Sequence, residues 1–292
     1  MILGIKPTVD YAFKFLVGRE STKPILIHAT DAVLQPAPGH HIQHLDLLNP
    51  FNPKERADDK LSILDIKARD QSGRQFNLEM QMVALHHYSK RVLYYGCRLH
   101  QQQLREGQDY LDLKPTISIT FLDDLLFPDV KNYHHCFRLL EKEHHFALTT
   151  DLEFHILELP KFTKTAEELA NDLDIWLYFL RHAETMDTEA LPPAIGGQPI
   201  LLQAVKELQM LAQTAEEREG YEARRKAQMD HSFGLRSARL EGEARGENIG
   251  IIHLCERLLH RPETPAQDLA AMSLDNLTRL AEELQAQVVQ QP

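Results

Sequence analysis

Cysteine is scarce in this chain. Three residues, Cys97, Cys136 and Cys255, occur in 292 positions, an odd number at wide separations. A disulfide framework is excluded, no paired-cysteine zinc spacing is present, and three reduced thiols are expected. Long apolar runs are also missing. No stretch reaches the roughly 18 to 20 apolar residues that span a bilayer. Met1-Ile2-Leu3-Gly4 leads straight into polar sequence rather than a signal peptide. No membrane contact and a cytoplasmic location are therefore expected. The third absence is a basic surplus. Formal charge is −11, and residues 1 to 150 hold 18 basic and 18 acidic residues, so the whole deficit lies in the back half. Constitutive duplex binders carry a basic face, because phosphate neutralisation supplies most non-specific affinity. Nucleic-acid chemistry here would need local basic groups, for which Lys60, Lys67, Arg69 and Arg74 are candidates, together with bound cations.

What the chain does have is a stretch from Leu61 to Val83 that reads as a β-hairpin. Ile63, Asp65 and Lys67 alternate with Leu64, Ile66 and Ala68. After the turn residues Gln71-Ser72-Gly73-Arg74, Phe76, Leu78, Met80 and Met82 alternate with Asn77, Glu79 and Gln81. Alternation puts Asp65 with Lys67, and Glu79 with Gln81, on shared strand faces. If the register aligns those faces, two carboxylates converge, the oxygen-donor pair that a hard divalent cation takes.

These residues carry a resemblance. Leu64-Asp65-Ile66-Lys67-Ala68 followed by Asn77-Leu78-Glu79-Met80-Gln81 is similar to the Asp…Glu-x-Lys core of the PD-(D/E)XK nuclease superfamily, in the version found in the recombination-promoting nuclease and putative transposase family. Pro7-Thr8-Val9-Asp10-Tyr11-Ala12-Phe13-Lys14 and Leu157-Glu158-Leu159-Pro160-Lys161-Phe162 extend it over roughly the first 185 residues. The resemblance implies a restriction-endonuclease-like α/β fold and a metal-dependent deoxyribonuclease acting on DNA in recombination or mobile-element biology. It also implies Mg²⁺ as cofactor, with Mn²⁺ or Ca²⁺ as substitutes. Asp65 and Glu79 would hold the ion, helped by the backbone carbonyl of Met80. Gln81 stands where most members carry Lys. It would orient the attacking water without supplying charge, and Lys67 would supply the charge from the neighbouring strand. Asp10 has two readings, a helix-start residue favoured by the macrodipole and an acidic group near the metal. The alternative function is a catalytically weak or inactive nuclease fold acting as an interaction or assembly module.

Elsewhere the pattern predicts a mixed α/β sheet flanked by helices. Helices are expected after Thr8-Val9-Asp10, from Lys23-Pro24 to Leu34, and across His86 to Leu104. Strands are expected at His40–Leu48, Lys114–Leu122, His134–Leu140 and Phe154–Leu159, the last two antiparallel. On the third helix, Arg91, Tyr94 and Arg98 could meet phosphate, though a solvated face and core aromatics explain them as well. Thr165-Ala166-Glu167-Glu168 has capping-box spacing for a helix running to Leu180. Leu191 to Pro199 breaks helical structure, giving a nuclease-like domain at 1–190 and a helical C-terminal region at 200–292 that could mediate homo-oligomerisation. The paired histidines, among them His134-His135 and His144-His145, are poor chelators, because adjacent residues point apart on a strand.

Overall fold

The protein is described by a computed structural model, which describes residues 1–49, 51–52, 62–63, 65–84 and 87–290. Two compact units divide the chain, residues 1–228 and 229–292.

The first unit opens with α1 (Asp10–Val17) and α2 (Lys23–Leu34). Strand β1 (Leu45–Leu48) follows, then a two-residue ladder of β2 (Phe51–Asn52) with β3 (Ser62–Ile63). The expected hairpin is β4 (Ile66–Asp70) and β5 (Gln75–Gln81). Helix α3 (Tyr88–Gln101) leads to β6 (Thr116–Leu122), β7 (His134–Arg138) and β8 (Leu152–Glu158). Helices α4 (Asp172–His182), α5 (Pro193–Gly196) and α6 (Pro199–Gln213) close the unit, and α7 (Ala215–Leu258) begins in it.

The six-stranded sheet runs β1-β4-β5-β6-β8-β7. β5, β6 and β8 are parallel neighbours, whereas β1 with β4, β4 with β5, and β7 with β8 are antiparallel. The mixed α/β sheet with flanking helices is thus present, and β7 pairs with β8 as the sequence suggests. Parallel neighbours require crossover connections, and α3 supplies the one between β5 and β6.

The two faces of β5 part company by alternation. Phe76, Leu78 and Met80 enter the main core with Ile117, Ile119 and Phe121 of β6, and α1, α2, α4 and α6 cover them through residues such as Phe13, Leu26, Trp176 and Leu208. Asn77, Glu79 and Gln81 take the other face, where Tyr88 and Val92 of α3 meet Phe154. Gly96 lets α3 lie there, since a Cβ at this position would come 2.3 Å from the Phe154 ring.

Several boundaries differ from the sequence reading for physical reasons. The first hairpin strand begins at Ile66, so Asp65 sits in a bend before it, and Ser62-Ile63 pairs with β2 instead of continuing the hairpin. Thr8 does not cap α1: Val9 holds that place, and the Thr8 hydroxyl donates to Asp123 at 3.3 Å. The Thr165–Glu168 capping box closes only a 3-10 turn, and α4 begins afresh behind Asn171, whose side chain accepts from the Asp174 amide. Leu201, Ala204, Val205, Leu208 and Leu211 of α6, with Tyr221 of α7, belong to the sheet's core. The division between compact units consequently falls at residue 228 rather than near the Leu191–Pro199 break.

The second unit has its own core. Ile252 and Cys255 of α7 pack with Leu269 of α8 (Ala266–Ala271) and with Leu277, Ala281 and Leu284 of α9 (Leu274–Val289). Among the described residues, no helix is long and apolar enough to cross a membrane.

Candidate active site

The site is built where the hairpin opens away from its turn. Asp70 shapes that turn: its Oδ1 accepts from the amides of Ser72 (3.0 Å) and Arg74 (2.9 Å), while Oδ2 accepts from Arg74 Nε at 2.7 Å. Gly73 supplies the required φ of +90°. Register then pairs Lys67 with Asn77 and Ile66 with Leu78. The ladder ends at that second pair, and Asp65, in the bend before it, reaches β5 through its side chain. The Met80 amide donates to Asp65 Oδ2 at 3.1 Å, which ties the carboxylate to the open end of β5. Because a strand residue's N–H and C=O share one edge, the Met80 carbonyl faces the same way as the amide that holds Asp65.

Glu79 is buried. Its carboxyl is held above the usual carboxylate range, first by burial and next by the negative charge of Asp65, against the opposing pull of Asn77 and Arg91. Asn77 Nδ2 donates to Glu79 Oε1 at 3.1 Å, and Arg91 Nη2 stands 3.5 Å from Oε2. That guanidinium lies 5.3 Å from the Tyr88 ring centre and 5.5 Å from that of Tyr95. The Tyr88 hydroxyl donates to Thr120 at 3.4 Å and is pushed upward in pKa by burial and by the charge of Glu79. Among the described residues, nothing donates to Asn77 Oδ1 or accepts from Arg91 Nε, although both atoms are buried. Buried polar atoms without partners are costly and rare in native structures.

Asp65 has a cation that sequence spacing did not reveal. Lys14 of α1 places Nζ 3.0 Å from Asp65 Oδ1 and 3.9 Å from Asp10 Oδ2. Asp10 occupies the first turn of α1, where its carboxylate faces the same Lys14 that meets Asp65. Lys67 shares the site face with Asn77, and burial lowers its ammonium pKa. Gln81 ends β5 half-buried on the face of Glu79, and its carbonyl accepts from the Asp123 amide at 2.7 Å. Asp123 is in turn held by Lys6 at 2.7 Å, so the opening segment braces the strand ends beside the site.

The other basic candidates are distributed differently. Arg74 is engaged with Asp70, Arg69 stands 3.8 Å from Asp46, and Lys60 lies outside the described residues. Arg98 donates to the Tyr94 hydroxyl at 3.0 Å. In the later motif, buried Glu158 pairs with Lys161 at 2.5 Å and accepts from the amides of Leu126 and Phe127. That motif ties the end of β8 to a loop.

Residues 7–238 match the family described as PD-(D/E)XK nuclease family transposase. The chain belongs to this family. No curated protein and no solved structure matches it. Membership in the PD-(D/E)XK nuclease family transposases relates the chain to nucleases of mobile elements, with DNA as the implied substrate and divalent metal as the usual requirement. The match extends past the sheet into α7, in keeping with the α6 and α7 residues in the sheet's core.

Proposed function

We propose that the protein is a divalent-metal-dependent DNA endonuclease with Asp65 and Glu79 as its metal-holding carboxylates. The observation that carries this reading is their convergence at the open end of β5, where Asp65 Oδ2 accepts from the Met80 amide at 3.1 Å, one residue from buried Glu79. A polypeptide gains nothing in stability from two neighbouring carboxylates, one of them buried, unless a cation joins them. The donor set fits. Two carboxylates and the Met80 carbonyl are hard oxygen donors suited to Mg²⁺, and the unpartnered Asn77 Oδ1 adds an acceptor beside them. A cation held there would lower the pKa of a water and offset charge on the scissile phosphate.

The chain's own residues then have distinct tasks. Gln81, on the Glu79 face, orients the attacking water through its amide. It carries no charge, and the ammonium closest to Asp65 in the described site is Lys14, at 3.0 Å. Lys14 is thus the better source of the positive charge that position 81 lacks, with Lys67 as a second, partly desolvated amine on the site face. Arg91, held on two tyrosine rings, fixes one oxygen of Glu79.

Two observations favour a weaker or inactive enzyme working as an interaction module: Lys14 already neutralises Asp65, and no lysine stands at position 81. Nicking of supercoiled plasmid with Mg²⁺, Mn²⁺ or EDTA separates the readings. The endonuclease reading expects metal-dependent cleavage that falls about 100-fold or more in Asp65→Ala and in Glu79→Ala, the scale of losing one transition-state stabiliser. Lys14→Ala should lower cleavage more than Lys67→Ala does. Metal-independent cleavage, or cleavage unchanged in both carboxylate variants, would refute the assignment.

A further inference from the structure

The outer edge of the sheet carries a second cluster of donors, on the face opposite Glu79. Glu79 aligns with Thr120 and thence with Ile156, whereas Ile119 aligns with His155, so His155 and Glu79 lie on opposite faces and two strands apart. Cys136 of edge strand β7 is the register partner of His155 on β8. One sulfur, one carboxylate oxygen and one imidazole nitrogen from Cys136, Glu153 and His155 all fall within 4.8 Å of one another.

We propose that Cys136, Glu153 and His155 bind a zinc ion that fastens edge strand β7 to β8, with His134 orienting His155. The spacing suits the ion. Tetrahedral zinc with bonds of about 2.0 to 2.3 Å separates its nitrogen and oxygen ligands by about 3.3 Å and its sulfur and nitrogen ligands by about 3.6 Å. Here His155 Nε2 is 2.6 Å from Glu153 Oε1 and 4.0 Å from Cys136 Sγ, so side-chain shifts of under about 1 Å would reach that geometry. The other ring nitrogen is already committed as a zinc-binding imidazole requires. His155 Nδ1 lies 2.8 Å from His134 Nε2, and a proton on Nδ1 donated to His134 leaves Nε2 to face the thiol and the carboxylate. Glu153 keeps its second oxygen on Arg138 Nε at 2.6 Å, which favours one-oxygen ligation.

The strand spacing assembles this set. His134 and Cys136, two apart on β7, share a face with Glu153 and His155, two apart on β8. His135 points to the other face and meets Glu158 at 3.0 Å. Zinc binding displaces the thiol proton of Cys136 and the proton between His155 Nε2 and Glu153 Oε1, and both pass to solvent. Three protein ligands leave a fourth position for water, and Cys136 is exposed, so the ion has a route in.

The test uses full-length protein stripped with chelator. Mass-spectrometric mapping of thiol alkylation, with and without Zn²⁺, compares Cys136 with exposed Cys97, which serves as the internal control. Zinc should slow alkylation of Cys136 at least tenfold and leave Cys97 unchanged. Co²⁺ should give a thiolate charge-transfer band in wild type and in Asp65→Ala but none in Cys136→Ser, and His134→Ala should weaken Co²⁺ binding about 10- to 100-fold. Equal alkylation of Cys136 with and without Zn²⁺ in the wild-type protein would overturn the site, as would a cobalt band persisting in folded Cys136→Ser.

Discussion

Glu79 is a buried carboxyl whose charge stands against stability. Its carboxyl is buried beside Asp65, and Asn77 and Arg91 only partly offset the cost of its charge. Glu79→Gln keeps the shape and removes the charge, so in EDTA at neutral pH the variant should melt above wild type, by about 1 kcal/mol in stability. Thermal unfolding in EDTA checks this, and a lower melting temperature would show that the Arg91 contact outweighs burial. The same residues show how far sequence alone reaches. That Glu79 and Gln81 share one face of β5 was legible because alternation in a strand fixes which side chains share a face, whereas Asp65 lies in the bend before β4 and alternation did not fix its place. Lys14 was not legible: it lies 51 positions before Asp65, and only the packing of α1 against the sheet brings them to 3.0 Å. Cys136 and His155 were hidden for a related reason. Each strand could be read, but the β7–β8 register that makes them partners is a tertiary fact.

At the scale of elements, the hairpin turn and α4 each depend on a few polar contacts. Gly73 has φ of +90°, and a Cβ there would come 3.0 Å from Lys114 Cγ. Gly73→Ala should therefore cost about 1 kcal/mol, measurable by urea denaturation. In α4, Asp174 accepts from the Ala170 amide (3.0 Å), Tyr133 (2.9 Å) and Lys164 (2.7 Å). Burial alone would raise its carboxyl, but the Lys164, Ala170 and Tyr133 hydrogen bonds outweigh it and hold the pKa below the ordinary value. The folded state thus favours the ionised form. Its contribution is complete above about pH 4, the range of an unfolded aspartate, and is lost as pH falls through the lower folded value. Asp174→Asn should cost about 2 kcal/mol at pH 7, and the gap to wild type should narrow on acidification below pH 4. A gap that stays constant from pH 7 into that acidic range would contradict this account. The hairpin turn was legible at Gln71–Arg74, but the α4 contact set was not, because a capping box at Thr165 reads as the start of one helix, whereas the chain makes a 3-10 turn and restarts behind Asn171.

At the scale of the whole molecule, the apolar stripes of the later helices were legible and their assignment was not. Ile200 to Leu211 reads as a helix of a separate C-terminal region, yet Leu201, Ala204, Val205, Leu208 and Leu211 belong to the sheet's core, and residues 229–292 have a core of their own. A hydrophobic stripe states that a face will be buried but not against what. Net charge of −11 gives no general attraction for DNA. On the proposed function, affinity would come from a cation held by Asp65 and Glu79 and from the basic groups around them, so that candidate site is the point on which the functional account turns.

The most direct test is a Mn²⁺ titration of the full-length protein followed by melting temperature, run in a Cys136→Ser background so that the edge cluster cannot contribute. Binding to the folded state should stabilise saturably, by about 2.7 kcal/mol at 100 times the dissociation constant, and Asp65→Ala and Glu79→Ala should each abolish the effect. The same stabilisation in both carboxylate variants, or none in the parent protein, would contradict a cation site at Asp65 and Glu79.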